Sequence, residues 1–145
     1  MKKITWSLIA ILWIIALMGI PLKQSAQNII DKQLLRVGVI LALDGYSITH
    51  DIKYGSLYDN RYDNYYFSLS RGWTYKIYAA CDGDCGDIDL CLYDENGNKI
   101  DCDETTDDQP VVEVTPKWTG RFRLKVHMYD CRINPCRFGI AVFGK

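Results

Sequence analysis

A chain of 145 residues with a formal net charge of −1 has room for one domain with a real core. No strongly basic balance is present, and a mildly acidic chain is a poor candidate for phosphate-backbone binding, so nucleic acid is not an expected partner.

Lys2 and Lys3 precede an uncharged run from Ile4 to Leu22, and Ala26 offers a small residue for cleavage. This is the pattern of a secretory signal over residues 1–26. Gln24 stands where a second small residue is expected, and the run lies at the lower edge of bilayer-spanning length. An uncleaved membrane anchor and a buried soluble helix are therefore the alternatives. No Cys occurs at 18–26, so no lipid attachment is expected there. Cleavage would remove three of the 17 basic residues and none of the 18 acidic ones, leaving 119 residues with a net charge of −4.

A helical segment over residues 27–44 comes next. Ile30, Leu34, Val37 and Leu41 recur at steps of three and four from Asn28 to Leu43, and Asp44-Gly45 supplies the stop. The spacing predicts a helix covering an edge or end of the core, with a partner-binding or membrane-surface helix as the alternative.

After Gly45 the period changes to that of a β domain over residues 45–145. Strands are expected at Tyr46–Thr49, Tyr65–Leu69, Thr74–Ala80, Ile88–Tyr93, Lys99–Cys102, Val111–Thr115, Arg121–Met128 and Phe138–Phe143, with Tyr54–Tyr58 a weaker ninth. The fold class is mainly β: an antiparallel, jelly-roll-like β-sandwich of about eight strands with one N-terminal α-helix. In Arg121–Val126 cations alternate with apolar residues, which gives one buried and one wet face.

Tyr54, Tyr58, Tyr62, Tyr65, Tyr66 and nearby Trp73 form a candidate binding surface for a glycan or protein. Core packing with a tyrosine-rich loop is the plainer reading.

The six cysteines are Cys81, Cys85, Cys91, Cys102, Cys131 and Cys136. An even count behind an export signal reads as disulfides rather than zinc ligands, because no C-x-x-C pair is present and His50 and His127 lie in separate strands. Of the fifteen pairings, proximity favours Cys81–Cys85, Cys91–Cys102 and Cys131–Cys136. A two-residue Asn96-Gly97 turn puts Cys91 opposite Cys102. Yet if Leu90, Leu92, Ile100 and Cys102 all face inward, Cys91 points the other way, and a bulge or another turn must reconcile the two. Short loops of this kind contribute roughly 2–3 kcal/mol each on the loop-entropy model.

Residues 82–108 hold eleven Asp or Glu against Lys99 alone. Four of them, Asp82, Asp84, Asp87 and Asp89, lie in a Gly-containing stretch that could supply oxygens to calcium (Ca2+), although the spacing is not that of an EF-hand. The plainer reading is solvated turn residues capped by local hydrogen bonds.

From about Asp63 to Phe143 the chain resembles the bacterial pre-peptidase C-terminal domain, a small β-sandwich. The resemblance is carried by Asp63-Asn64-Tyr65-Tyr66-Phe67, Gly72-Trp73-Thr74-Tyr75, Asp87-Ile88-Asp89-Leu90-Cys91-Leu92-Tyr93-Asp94 with Asn96-Gly97, Gly120-Arg121-Phe122-Arg123-Leu124-Lys125-Val126, and Phe138-Gly139-Ile140-Ala141-Val142, in that order. It implies an exported accessory or binding module appended to secreted enzymes without being their catalytic part. Related collagen-binding domains use calcium for stability. The chain departs from the pattern in its preceding helix, its six cysteines and its lack of an attached enzyme.

No G-x-S-x-G or H-E-x-x-H motif is present, and no catalytic residues are assigned. The expected function is thus an exported, periplasmic or secreted, non-catalytic module engaging an extracellular or envelope protein or glycan. Membrane contact is expected only through the N-terminal segment, if uncleaved. A structural envelope protein or membrane-tethered partner is the alternative, and an accessory factor or inhibitor of a separate exported peptidase is a further one.

Overall fold

The computed structural model describes residues 22–145, with side chains from Ala26 onward. The expected export segment, residues 1–26, lies outside them except for its last five positions. Helix α1 runs from Leu22 to Leu43, starting six residues before the apolar spacing becomes regular. It stops where expected. Gly45 takes a positive φ of 83°, its N–H donates to Ala42 O (3.1 Å) and that of Tyr46 to Leu41 O (3.1 Å). This pair of bonds is a Schellman cap, and its usual apolar contact is present between buried Leu41 and Tyr46.

Nine strands follow among the described residues: β1 (Ser47–Ile48), β2 (Lys53–Leu57), β3 (Arg61–Leu69), β4 (Tyr75–Cys81), β5 (Cys85–Tyr93), β6 (Lys99–Asp103), β7 (Val111–Val114), β8 (Gly120–Cys131) and β9 (Cys136–Gly144). They form two antiparallel sheets. In sheet A the order is β1–β9–β4–β7, with β2 also on β9, so β1 and β2 are successive pieces of one edge. In sheet B it is β3–β8–β5–β6.

Period-two alternation puts Phe122, Leu124, Val126 and Met128 of β8 and Ile88, Leu90 and Leu92 of β5 on the inner face of sheet B. They meet Ile77, Phe138, Ile140 and Val142 of sheet A, closing a β-sandwich core. A second, smaller core lies on the outside of sheet A. There Ile30, Leu34 and Leu41 of α1 pack on Ala80, Ala141 and Phe143. Small residues make this seat: a Cβ on Gly139 would come within 2.7 Å of the Ile30 side chain. The molecule is thus three layers, α1, sheet A and sheet B.

The disulfides are Cys81–Cys85, Cys91–Cys102 and Cys131–Cys136, with Cα separations of 6.0, 4.2 and 5.8 Å. The first and third clamp the crossings β4→β5 and β8→β9 at one end of the sandwich, where Cys85 and Cys131 are register partners. At the second, Cys91 stands opposite Cys102 as expected, while the turn itself is different. The β5–β6 turn is closed by Asp94 and Asn98 rather than by Asn96-Gly97 alone. The Asp94 carboxylate accepts from the N–H groups of Asn96 (2.9 Å) and Asn98 (2.8 Å) and from the Asn98 amide (2.9 Å), and Gly97 has φ 83°. Ile100 is unpaired, because the register moves from Leu92 opposite Asp101 to Tyr93 opposite Lys99. Cross-strand partners share a face, so Cys102 stands with Cys91 on the outer side instead of inward with Leu90 and Leu92, and the bulge falls between this pair and the turn.

Phe122 is fully buried between the sheets and stacks on Trp118 at 6.1 Å. Phe122→Ala should lower stability by about 3–5 kcal/mol in urea unfolding with disulfides intact. Tyr129→Ala, at an exposed position of the same strand, should stay within about 0.5 kcal/mol of the parent.

Candidate functional site

The outer face of sheet B is built by strand β8 and the registers on either side of it. Arg123 lies between Tyr66 of β3 and Tyr93 of β5, Lys125 between Asn64 and Cys91, and His127 between Tyr62 and Asp89. The residues between them point into the core, so this side of β8 reads Arg121, Arg123, Lys125, His127. Each of the first three cations rests on a tyrosine: Arg121 on Tyr66 (4.1 Å to the ring centre), Arg123 on Tyr93 (4.2 Å) and Lys125 on Tyr62 (4.6 Å). Arg123 also donates to Asn64 Oδ1 (3.0 Å).

Alternate residues along a strand are roughly 6.6 Å apart. Neighbouring like charges at that spacing repel by about 0.6 kcal/mol in bulk water, and by more beside low-dielectric protein. An exposed cation–π contact contributes about 0.5–1 kcal/mol. Stacking therefore offsets the repulsion with little to spare. Among the described residues no carboxylate lies within ion-pair distance of Arg121, Arg123 or Lys125. The column is pinned but not ion-paired.

At one end of this face is a cleft of about 280 Å³ lined by Tyr66, Asp94, Glu95, Gly97, Arg121 and Arg123. At the other end the charge changes sign. His127 Nδ1 lies 3.3 Å from Asp89 Oδ2 and Nε2 3.2 Å from Asn60 Oδ1, with Tyr129 against the ring edge-on. Its polar partners are thus a carboxylate and an amide. Beyond Asp89 comes Asp87, only 6 % exposed and with no hydrogen-bond partner for Oδ1. Burial raises its carboxyl above the usual value, the Asp89, Asp107 and Asp130 charges add to this, and the Asp107 N–H works against it. Burial also raises Asp89, against the opposing pull of His127.

The fold divides the expected calcium quartet. Asp82 ties the β4–β5 loop down: its carboxylate accepts from the N–H groups of Arg137 (2.8 Å) and Asp84 (3.3 Å). Asp84 receives the Arg132 N–H at its carbonyl (2.9 Å). Asp87 and Asp89 are on β5, facing out. Among the described residues, the three-ligand grouping within 4.8 Å is Cys91, Cys102 and Glu104, and both of its sulfurs are in a disulfide. The Asp82, Asp84, Asp87 and Asp89 carboxylates make no such grouping among the described residues.

The aromatic set is divided too. Tyr62 and Tyr66 share the outer face of sheet B. Tyr65 points inward, edge-on to Phe138 at 5.9 Å. Tyr54 lies on β2 and donates to Asp31 of α1 (2.7 Å). Tyr58 is exposed beyond β2, and Trp73 stacks on Tyr75 at 6.2 Å. Sequence reasoning missed Tyr93 and the three cations as one surface, although the Arg-x-Arg-x-Lys alternation was there to suggest it.

No protein-family model matches the sequence, and no curated protein does. In fold the chain is similar to the pre-peptidase C-terminal domain of collagenase from Bacillus anthracis. The match covers 63% of this chain and 87% of that one, with a TM-score of 0.51 and 17% identity. It is also similar to Aeromonas hydrophila PliG, a periplasmic lysozyme inhibitor of g-type lysozyme, over 66% of this chain and 85% of that one, with a TM-score of 0.49 and 12% identity. The first likeness supports the sandwich fold read from Asp63 to Phe143.

A carboxyl whose folded value is raised lends stability at low pH and loses it as the pH climbs through that raised value. Asp87→Asn should therefore raise the melting temperature at neutral pH, and the gain should close as the pH falls into the ordinary carboxylate range. Thermal melts across that window check this; a lower melting temperature for the variant at neutral pH would mean that the Asp87 charge is satisfied.

Proposed function

We propose that the chain acts outside the cytosol as a non-catalytic binding module that grips an acidic surface of an extracellular or envelope protein with the outer face of sheet B. The supporting observation is the column Arg121, Arg123 and Lys125, each stacked on a tyrosine and none paired with a carboxylate. A guanidinium held over a ring loses little freedom when its remaining N–H groups take a carboxylate.

A protein is favoured over a neutral glycan because cations already cover faces of Tyr62, Tyr66 and Tyr93, and sugar stacking would need those faces. Export is supported by the N-terminal sequence pattern and by three disulfides with no free cysteine among the described residues. The likeness to a pre-peptidase C-terminal domain supports an accessory role beside enzymes rather than catalysis.

The test is capture from the extracellular and envelope fractions on the immobilised, oxidised chain. The expected result is an acidic protein whose retention falls with salt and drops about tenfold or more when Arg121 and Arg123 are both changed to Glu. Lys53→Glu, on sheet A, should leave retention unchanged. Retention that survives the double reversal would refute the face, and soluble anionic polysaccharide as the only competitor would move the reading to a glycan. Thiol titration of natively recovered material should find no free sulfhydryl; six would remove the premise of export.

A further inference from the structure

One surface plays no part in the reading above. The inward side of α1 is buried on sheet A, yet its outward side is also apolar. Leu35 is 67 % exposed, Val39 60 %, Ile40 64 % and Leu43 86 %. At 100° per residue these four cover the outward arc of the last two and a half turns. A helix that is apolar all round belongs in a core or against lipid, and isolated domains rarely leave so large an apolar patch in water.

The patch continues past Leu35 into a groove of about 330 Å³ between α1 and the β1–β2 edge, lined chiefly by Leu34, Gly38, Ile48, Ile52 and Phe143. Gly38 keeps it open, since a Cβ there would come within 3.2 Å of the Phe143 ring.

The charges on the helix are sorted as well. Lys32 and Arg36 stand on the outward arc, whereas Asp31 is turned to β2, where the Tyr54 hydroxyl donates to it at 2.7 Å. At the C-terminal end the Lys145 ammonium lies 3.2 Å from the Asp44 carbonyl oxygen. Finally, the 21 residues outside the structure end where α1 begins, and from Ile4 onward they are uncharged and apolar in sequence. Among the described residues no helix is long and apolar enough to cross a membrane. Lys32 and Arg36 rise within this arc toward its N-terminal end, where long stems can lie on apolar surface while their charged heads reach phosphates.

We propose that the outward face of α1 is a membrane-binding surface. The C-terminal turns of the helix rest on an anionic bilayer with Leu35, Val39, Ile40 and Leu43 among the acyl chains, Lys32 and Arg36 extend from the same arc so that their charged heads reach the phosphates, and the groove beside Gly38 takes an acyl tail. Where it is retained, as in the full-length chain, the apolar run before Leu22 would hold the chain near lipid whether or not α1 touches it, so the test must read α1 itself.

A fluorescent amino acid is placed at Val39 in one full-length chain and at Ser68, on the outer face of sheet B, in another. Both are put into vesicles of phosphatidylglycerol and phosphatidylethanolamine with brominated acyl chains. The expected result is at least threefold stronger quenching by bromolipid at 39 than at 68, with iodide quenching at 39 reduced to a similar extent. Adding Leu35→Glu and Ile40→Glu should reverse both effects while leaving the near-ultraviolet circular dichroism and the absence of free thiols unchanged. Equal access of iodide to both positions would overturn the proposal. Shielding at 39 without bromolipid quenching would also overturn it: shielding that grows with protein density assigns the face to a second copy, and shielding that does not assigns it to another segment of the same chain.

Discussion

Two sheets can bury one core only if the chain crosses between them without loosening, and here the critical crossings share one end of the sandwich. Cys81–Cys85 closes the passage from β4 to β5, and Cys131–Cys136 closes that from β8 to β9. The two loops are also tied across. The Arg132 N–H donates to Asp84 O and the Arg137 N–H to Asp82 Oδ2, and the Cys131 N–H donates to Asp59 Oδ1 in the turn between β2 and β3. Each of these bonds satisfies a main-chain donor that a crossing strand would otherwise leave unpaired, at a cost of about 1–3 kcal/mol per buried group. The buried carboxylate of Asp82 is therefore structural: it joins the β4–β5 loop to the first residues of β9.

Once the spacing of the sheets is fixed, the period of each strand decides what its two sides become. On β8 a one-residue slip would exchange Phe122, Leu124, Val126 and Met128 for Arg121, Arg123, Lys125 and His127. Burying four cationic or ionisable side chains is far costlier than any local preference could repay. The cation column is thus a by-product of the core's register, and its alignment with Tyr62, Tyr66 and Tyr93 follows from β3 and β5 being held to the same strand. Sheet A had a different problem. Its outer side carries Ala80, Gly139 and Ala141, too small to shed water by themselves, and α1 covers them.

Most of the architecture was legible because it rests on local chemistry. Alternation located every strand, Asp44-Gly45 located the end of α1, and short separations in sequence singled out the disulfide pairs. The turn at Asp94–Asn98 was harder. Asn96-Gly97 is a good two-residue signal, but the Asp94 carboxylate gathers three donors and closes a longer loop, and the unpaired Ile100 absorbs the difference. The candidate site was legible only in part. Proximity in sequence grouped six aromatic rings and four carboxylates, whereas period two sends Tyr65 inward and Tyr66 outward, and the tie from Asp82 to Arg137 separates it from Asp87 and Asp89. Surfaces are assembled across strands, and cross-strand register is not a local property.

The three layers also set how the two unexplained surfaces face. The helix covers the outer side of sheet A, and the cation column occupies the outer side of sheet B, so a core of packed side chains separates them. Helix-to-sheet and sheet-to-sheet spacings of about 10 Å each put the column about 20 Å from the helix axis, on the far side of the molecule. At physiological ionic strength the Debye length is about 8 Å, so phosphates under α1 are screened from Arg121 and Arg123 and do not compete for them. A molecule seated on a bilayer through Leu35, Val39, Ile40 and Leu43 therefore presents its arginines outward, away from the lipid. The opposite arrangement, with apolar arc and cations on one side, would let the membrane occupy both. On the two proposals above, it is the separation by sheet A and sheet B that would let one small domain hold a surface and a soluble acidic protein at once.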